Sequence, residues 1–329
     1  MKVDRPRFAT DPLSVGGQAV IEGVMMRAPG AIATAVRRPD GSIAIERKSF
    51  KSLAARVPLL KLPIFRGAIG LVESLYIGVG SLMYSAETAI DEEEGGNASP
   101  SPAKKPADWK TKLALGGTVA VSLLLGIGFF FYLPLVLTDL TGVKSGIGFN
   151  LIDGVFRLAF FLVYIWGITR WKEMRRVFEY HGAEHKSIFA YEAGLPLTVE
   201  NARGMIRFHP RCGTSFLLIV MLSSIFVFVF LGRPEDIGDR LTRLAFVPLI
   251  GGISYEAIKL SGRYGSRPWV RPFIVPGLWL QRLTTREPDD SQLEVALAAL
   301  HAALGLPATE PLAAPAVARP ALAAAAQAG

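Results

Sequence analysis

Four stretches of this chain, residues 113–137, 147–169, 214–231 and 241–260, are apolar over nearly the length of a bilayer crossing. A helix needs about 20 such residues to cross the hydrocarbon. Inside it, every backbone N–H and C=O must find a partner within the protein, which leaves helices as the simple solution. The fold class expected is therefore a mainly α, multi-pass membrane protein with about four transmembrane helices. The fourth stretch holds Arg243, Gly251-Gly252 and Glu256 and reads as a broken or partly re-entrant helix. A further apolar stretch, 57–90, is interrupted by Lys61, Pro63, Arg66 and Glu73. It reads as an interfacial or membrane-packed helix, with a spanning helix as the alternative.

Lys and Arg set the orientation. Lys104, Lys105, Lys110 and Lys112 precede the first span. Arg170, Lys172, Arg175 and Arg176 follow the second, and Lys259, Arg263, Arg267 and Arg271 follow the fourth. Positive charge stays inside, so these groups and both termini are expected in the cytoplasm, with the protein in the cytoplasmic (inner) membrane. The net charge of +8 is spent on these flanks rather than on one stripe, so anionic lipid is the expected partner and nucleic acid is not. A single cysteine excludes a disulfide within the chain. Residues 1–12 are polar, with no apolar core of a cleaved signal.

The rest divides by composition. Residues 1–56 are read as a cytoplasmic β unit. Gly16-Gly17 opens it, an apolar run covers 18–26, and two short strands flank a Pro39-Asp40-Gly41 turn. Glu22 and Arg27 interrupt the apolar run, either as the solvated side of a sheet or as part of a site shared with the later histidines. Residues 91–108 form a disordered linker, 109–271 the four-helix membrane region, 272–305 an interfacial segment and C-terminal helix, and 306–329 a disordered Ala/Pro tail.

The chemistry concentrates in the loop at 170–213. Three of the four histidines and the only cysteine lie there. His181, Glu184 and His185 read H-x-x-E-H, the inverse of the zinc-protease signature. On a helix the two imidazoles share a face and can hold one metal. Glu184 beside them can take the proton of a metal-bound water. His209 and Cys212, at H-x-x-C spacing, could complete the site singly or together. A divalent metal is expected, zinc first, since imidazole and thiolate both suit it. Four protein ligands would make a closed structural site, three plus water an open catalytic one. Glu192, seven residues after His185, is a ligand, an outer partner or a solvated carboxylate. Glu256, one turn inside the fourth span, either reaches the metal or pairs with a boundary cation. Arg211 could hold an anionic group of substrate. Asp153 and Arg157 read as a helix-face ion pair.

The run Gly17-Gln18-Ala19-Val20-Ile21-Glu22-Gly23-Val24-Met25-Met26-Arg27, the segments 181–186 and 209–216, Ser254-Tyr255-Glu256 and the segment 276–290 together resemble the YqhQ-like family of bacterial membrane proteins. The likeness covers roughly 15–304, with His181, Glu184, His185, His209 and Cys212 all in place. It implies a multi-pass inner-membrane protein of a family commonly labelled predicted metal-dependent enzymes. The favoured activity is metal-assisted hydrolysis of a peptide or lipid-linked substrate at the membrane surface. The alternatives are a membrane assembly or scaffold protein with a structural zinc, working with membrane-protein partners or a second copy of itself, and an ion-handling transporter using Glu256, Arg157 and Asp153.

Overall fold

The computed structural model describes residues 15–53, 57, 62–90, 109–264 and 270–306. The linker expected at 91–108 and the tail beyond 306 lie outside them. The chain is mainly helical with a small N-terminal sheet. It forms two units, one from 1–91, 166–220 and 248–329, the other from 92–165 and 221–247.

In the first unit, strands β1 (Gly16–Val20), β2 (Gly23–Ala28), β3 (Ala31–Arg37) and β4 (Ile43–Ser49) form an antiparallel meander in chain order. The apolar run expected at 18–26 is two strands, not one. Ile21 and Glu22 make the turn between them, with Glu22 at φ 50°. No Asn-Gly or Asp-Gly marks this turn, so the usual hairpin signal is missing. The turn expected at Pro39-Asp40-Gly41 does form, with Gly41 at φ 84°.

The sheet is covered on both faces, which explains why its inner strands read as continuous apolar runs. Val24, Met26, Ala28, Ala33 and Ala35 point into one core, and Met25, Ile32 and Val36 into another, as the two-residue period of a strand requires. The first core is closed by helices α5 (Lys172–Glu192), α6 (Val199–Arg203) and α11 (Asp290–Leu304) through Tyr180, Ala183, Ala202, Leu293 and Leu300. The second is closed by α1 (Phe65–Ile90) through Ile77. Three buried polar residues of α1 bind the sheet and its flanks: Ser81 accepts from Thr34, Ser85 accepts from the Ile21 N–H, and Glu73 lies 3.5 Å from Arg27 of β2 and accepts from Ser52 and Leu53 just beyond β4. α11 starts on a capping box of Asp289 and Gln292 and stops at the left-handed Gly305.

The remaining helices are α2 (Trp109–Ile127), which runs through a π-helical turn (Gly128–Tyr132) into α3 (Leu133–Leu140), then α4 (Gly146–Ile168), α7 (Gly213–Phe230), α8 (Ile237–Ala245), α9 (Val247–Tyr264) and α10 (Arg271–Thr284). The fourth apolar stretch is thus two helices meeting near Phe246. Five segments are long and apolar enough to cross a membrane: Phe65–Ala89, Ala120–Leu140, Gly146–Ile168, Gly213–Phe230 and Ile237–Leu260. That is one more than the four expected, the addition being α1. Val121, Leu123, Leu124 and Leu125 all face outward, an arrangement suited to lipid rather than water. These segments make the chain a membrane protein by composition and length.

Candidate metal centre

α5 carries the H-x-x-E-H motif in its C-terminal half, where the helix passes between β1 and α11. Its tight seat depends on two glycines. A methyl on Gly182 would lie 2.0 Å from the Arg286 carbonyl oxygen, and one on Gly17 would lie 3.0 Å from Glu184 Cγ. Both are positions where only a missing side chain allows the approach. The segment after α10 therefore lies directly on α5, with the Arg286 N–H donating to the Phe178 carbonyl at 2.8 Å.

That segment brings the Thr284 carbonyl to His181, whose Nδ1–H donates to it at 2.8 Å. His185 Nδ1–H donates likewise to the Arg207 carbonyl at 2.5 Å. A carbonyl can only accept, so each ring must carry its proton on Nδ1 and present Nε2 as a bare lone pair. The two rings lie 4.5 Å apart. His181 Nε2 is 3.2 Å from Cys212 Sγ, and His185 also interacts with that sulfur. One ligand atom from each of His181, His185 and Cys212 lies within 4.8 Å of the others.

A thiol has one proton and can satisfy one imidazole acceptor, yet two acceptors face it. A cation bound by both Nε2 atoms and the thiolate would satisfy all three. Histidines oriented through the far ring nitrogen in this way are the usual arrangement around a bound metal. The donor set suits zinc. Burial holds His185 below the usual imidazole range, so it stays neutral and able to ligate. Burial pushes the Cys212 thiol up, but His185 and the Thr214 hydroxyl and N–H outweigh it and leave the thiol below its ordinary range.

Glu184 is 5% exposed and receives the Gly17 N–H. Burial raises its carboxyl to about 7, against the pull of His181 and that N–H. It is thus poised for proton transfer near neutrality. His209 is buried and pushed down to about 4 by that burial. Its Nδ1 accepts from the Arg211 N–H at 3.3 Å and its Nε2–H points to Glu192 at 3.5 Å, so both ring nitrogens are engaged. Glu192 also pairs with Arg211. Glu256 is held by Arg66 through two bonds of 2.6 and 2.5 Å. Glu22 pairs with Arg176 and receives the hydroxyl of Tyr180, the residue immediately before His181, while Arg27 lies 3.5 Å from Glu73. The structure therefore brings His181, His185, Cys212 and Glu184 together and leaves His209, Glu192, Arg211 and Glu256 in other pairings.

Sequence reasoning missed three contributors. Thr284 and Arg207 act through backbone carbonyls, which no residue type announces. Gln281 is fully buried and brackets the His209 peptide, accepting its N–H and donating to its carbonyl, both at 2.7 Å; it also donates to the Ser215 hydroxyl at 2.9 Å. It thereby fixes the turn from which Cys212 projects. A Gln inside the apolar run of α10 was the one available signal.

Residues 62–306 match the family described as "Protein of unknown function (DUF1385)". The "Uncharacterized protein YqhQ" of Bacillus subtilis (strain 168) is 35% identical over 300 residues, covering 90% of this chain and 94% of that protein. No solved structure matches the chain.

Proposed function

We propose, for a chain that belongs to the DUF1385 family of proteins of unknown function, a metal-dependent enzyme of the cytoplasmic membrane that hydrolyses a peptide or lipid-linked substrate at the inner surface. The observation that carries the reading is the pair of Nδ1-anchored histidines presenting bare Nε2 atoms to one thiol. His181, His185 and Cys212 would hold zinc as a three-ligand site, the number that leaves a position for water. Zinc bound there would lower the pKa of that water toward about 7 and polarise a carbonyl or phosphoryl oxygen. Glu184, whose carboxyl burial raises in the metal-free site and which a bound cation would draw back toward its ionised form, would take the proton and return it to the leaving group. Thr284 and Arg207 keep the rings in one tautomer. Arg211, neutralised at rest by Glu192, exchanges that partner for an anionic group of the substrate.

In this reading four segments span the bilayer: the helix pair through Leu140, α4, α7, and α8 with α9. α1 is apolar enough to be a fifth, but its buried Ser81, Ser85 and Glu73 are committed to the sheet, which favours a helix packed on that unit. Both termini are then cytoplasmic.

A second reading, a structural zinc in a membrane scaffold, is favoured by the burial of His185 and Cys212, 1% and 4% exposed. The first experiment is metal content of the protein purified in detergent, for wild type, His181→Ala and Cys212→Ala. About one zinc per chain, lost in both variants, supports the site. Wild type that neither carries zinc nor takes it up overturns both readings. Glu184→Gln separates them: zinc and fold are kept in either case, while turnover of substrate is lost only in the enzyme.

A further inference from the structure

The second unit contains a charged cluster that the metal chemistry does not use. Asn150, Asp153 and Arg157 lie on one face of α4, and each is at least 94% buried. Arg243, on α8, is 1% exposed. At about 1.5 Å per residue, Asn150 and Asp153 stand only about 6 and 10 Å from the start of a helix read above as a span, toward one face of a hydrocarbon layer about 30 Å thick. Charges at that depth mark a functional site by default.

The internal pairing is incomplete. Arg157 Nε donates to Asp153 Oδ2 at 2.7 Å. Arg243 donates to the Gly232 carbonyl, and Asn150 Nδ2 donates to the same oxygen at 2.8 Å, which brings Arg243 and Asn150 side by side. Both guanidiniums approach the Phe228 ring, at 5.4 and 5.0 Å. Two cations thus face the Asp153 carboxylate, Asp239 one turn before Arg243 on α8 also acts on that guanidinium, and a ring face attracts a cation without neutralising it. Within this cluster, three buried atoms have no hydrogen-bond partner among the described residues: Arg243 Nη1, Asp153 Oδ1 and Asn150 Oδ1. One is a donor on the buried Arg243 guanidinium. The other two are acceptors, one turn apart on α4.

We propose that this cluster binds a phosphate group that carries a neighbouring hydrogen-bond donor, as in the ethanolamine or glycerol headgroup of a phospholipid. The phosphate oxygen accepts from the unpartnered Arg243 Nη1 as a charge-assisted bond, the pairing to which a guanidinium is best suited. The ammonium or hydroxyl of the headgroup donates to Asp153 Oδ1 and Asn150 Oδ1. The complement of one donor and two acceptors selects such a headgroup over choline, whose methylated nitrogen has no hydrogen to give.

The test uses the full chain purified in detergent. Native mass spectrometry measures retention of phosphatidylethanolamine, phosphatidylglycerol and phosphatidylcholine, and thermal unfolding is followed with inorganic phosphate added. Wild type should retain the first two lipids about tenfold more tightly than phosphatidylcholine, the effect of one charge-assisted bond. Asp153→Asn should erase most of that preference. Arg243→Lys keeps the charge and permits folding, and should weaken all three lipids. If inorganic phosphate instead stabilises wild type but not Arg243→Lys, with no lipid preference, the oxyanion site stands and its ligand is free phosphate. Equal retention of all lipids, no phosphate effect and no change in Arg243→Lys would overturn the proposal and leave the cluster hydrated only.

Discussion

Gly182→Ala tests whether the segment after α10 sets the metal centre. The added methyl would sit 2.0 Å from the Arg286 carbonyl oxygen and 3.3 Å from Pro288 Cδ. Ordinary contact starts at 3.4 Å, so the backbone at 286 must retreat by the missing 1.4 Å, because no flexible side chain is there to yield. If half of that displacement passes to Thr284, its 2.8 Å bond from His181 stretches to about 3.5 Å and is lost. A metal-ligating imidazole freed from its outer partner typically costs 10–100-fold in affinity, or about 1.4–2.7 kcal/mol. Overpacking adds roughly 1–3 kcal/mol of lost stability. Zinc affinity would be measured by chelator competition in detergent, and stability by circular dichroism on the same samples. Gly204→Ala is the control: its methyl meets the Asn201 carbonyl at 3.5 Å, an ordinary contact, and should move stability by about 0.5 kcal/mol or less. A folded Gly182→Ala protein with wild-type zinc affinity would refute the argument that Thr284 orients His181.

Three other outcomes are expected. In zinc-free protein, Glu184→Gln should stabilise the fold by roughly 3 kcal/mol at pH 8 and have little effect at pH 4, read from Tm across that range. The sign follows from a native carboxyl raised from 4.5 to about 7: between those values the native state holds a proton that the unfolded state has lost, so wild-type stability falls as pH rises, and Gln removes that fall. Glu256→Gln should leave zinc content unchanged, because Glu256 is bound to Arg66; loss of zinc in that variant would make it a ligand after all. Gly252→Ala should destabilise the protein by about 1–3 kcal/mol in detergent unfolding, since its methyl would meet the Ile64 carbonyl oxygen at 2.5 Å where α1 and α9 cross.

Much of this architecture is legible in the residues. Bilayer-length apolar runs disclose the helices, and Gly41 discloses one turn. The Ile21-Glu22 hairpin escapes because its left-handed residue is a glutamate, held there while it pairs with Arg176 on a distant helix. The apolar content of α1 is ambiguous for a related reason: a helix that covers a two-sided sheet needs the same side chains as one that covers itself with lipid. At the site, H-x-x-E-H and the later cysteine name the candidate ligand types, but not which of His209 and Cys212 faces the pair. That choice rests on Gln281 and on hydrogen bonds that consume both nitrogens of His209. Backbone carbonyls finish the arrangement, and these have no letter of their own.

The contact between His181 and the Thr284 carbonyl joins positions 103 residues apart, with two apolar stretches in between. It imposes an order on biosynthesis. The histidines leave the ribosome well before the carbonyl that fixes the tautomer of one of them, and α11, which closes the same core, comes later still. During that interval His185 already has the Arg207 carbonyl while His181 still lacks its partner, so, in the metal-binding reading, tight capture would belong to the last stage of assembly. If the site holds a metal, a chain arrested before α10 would carry all three candidate ligands yet bind about 10–100-fold more weakly, and tight loading would then report that the chain has been made through α10.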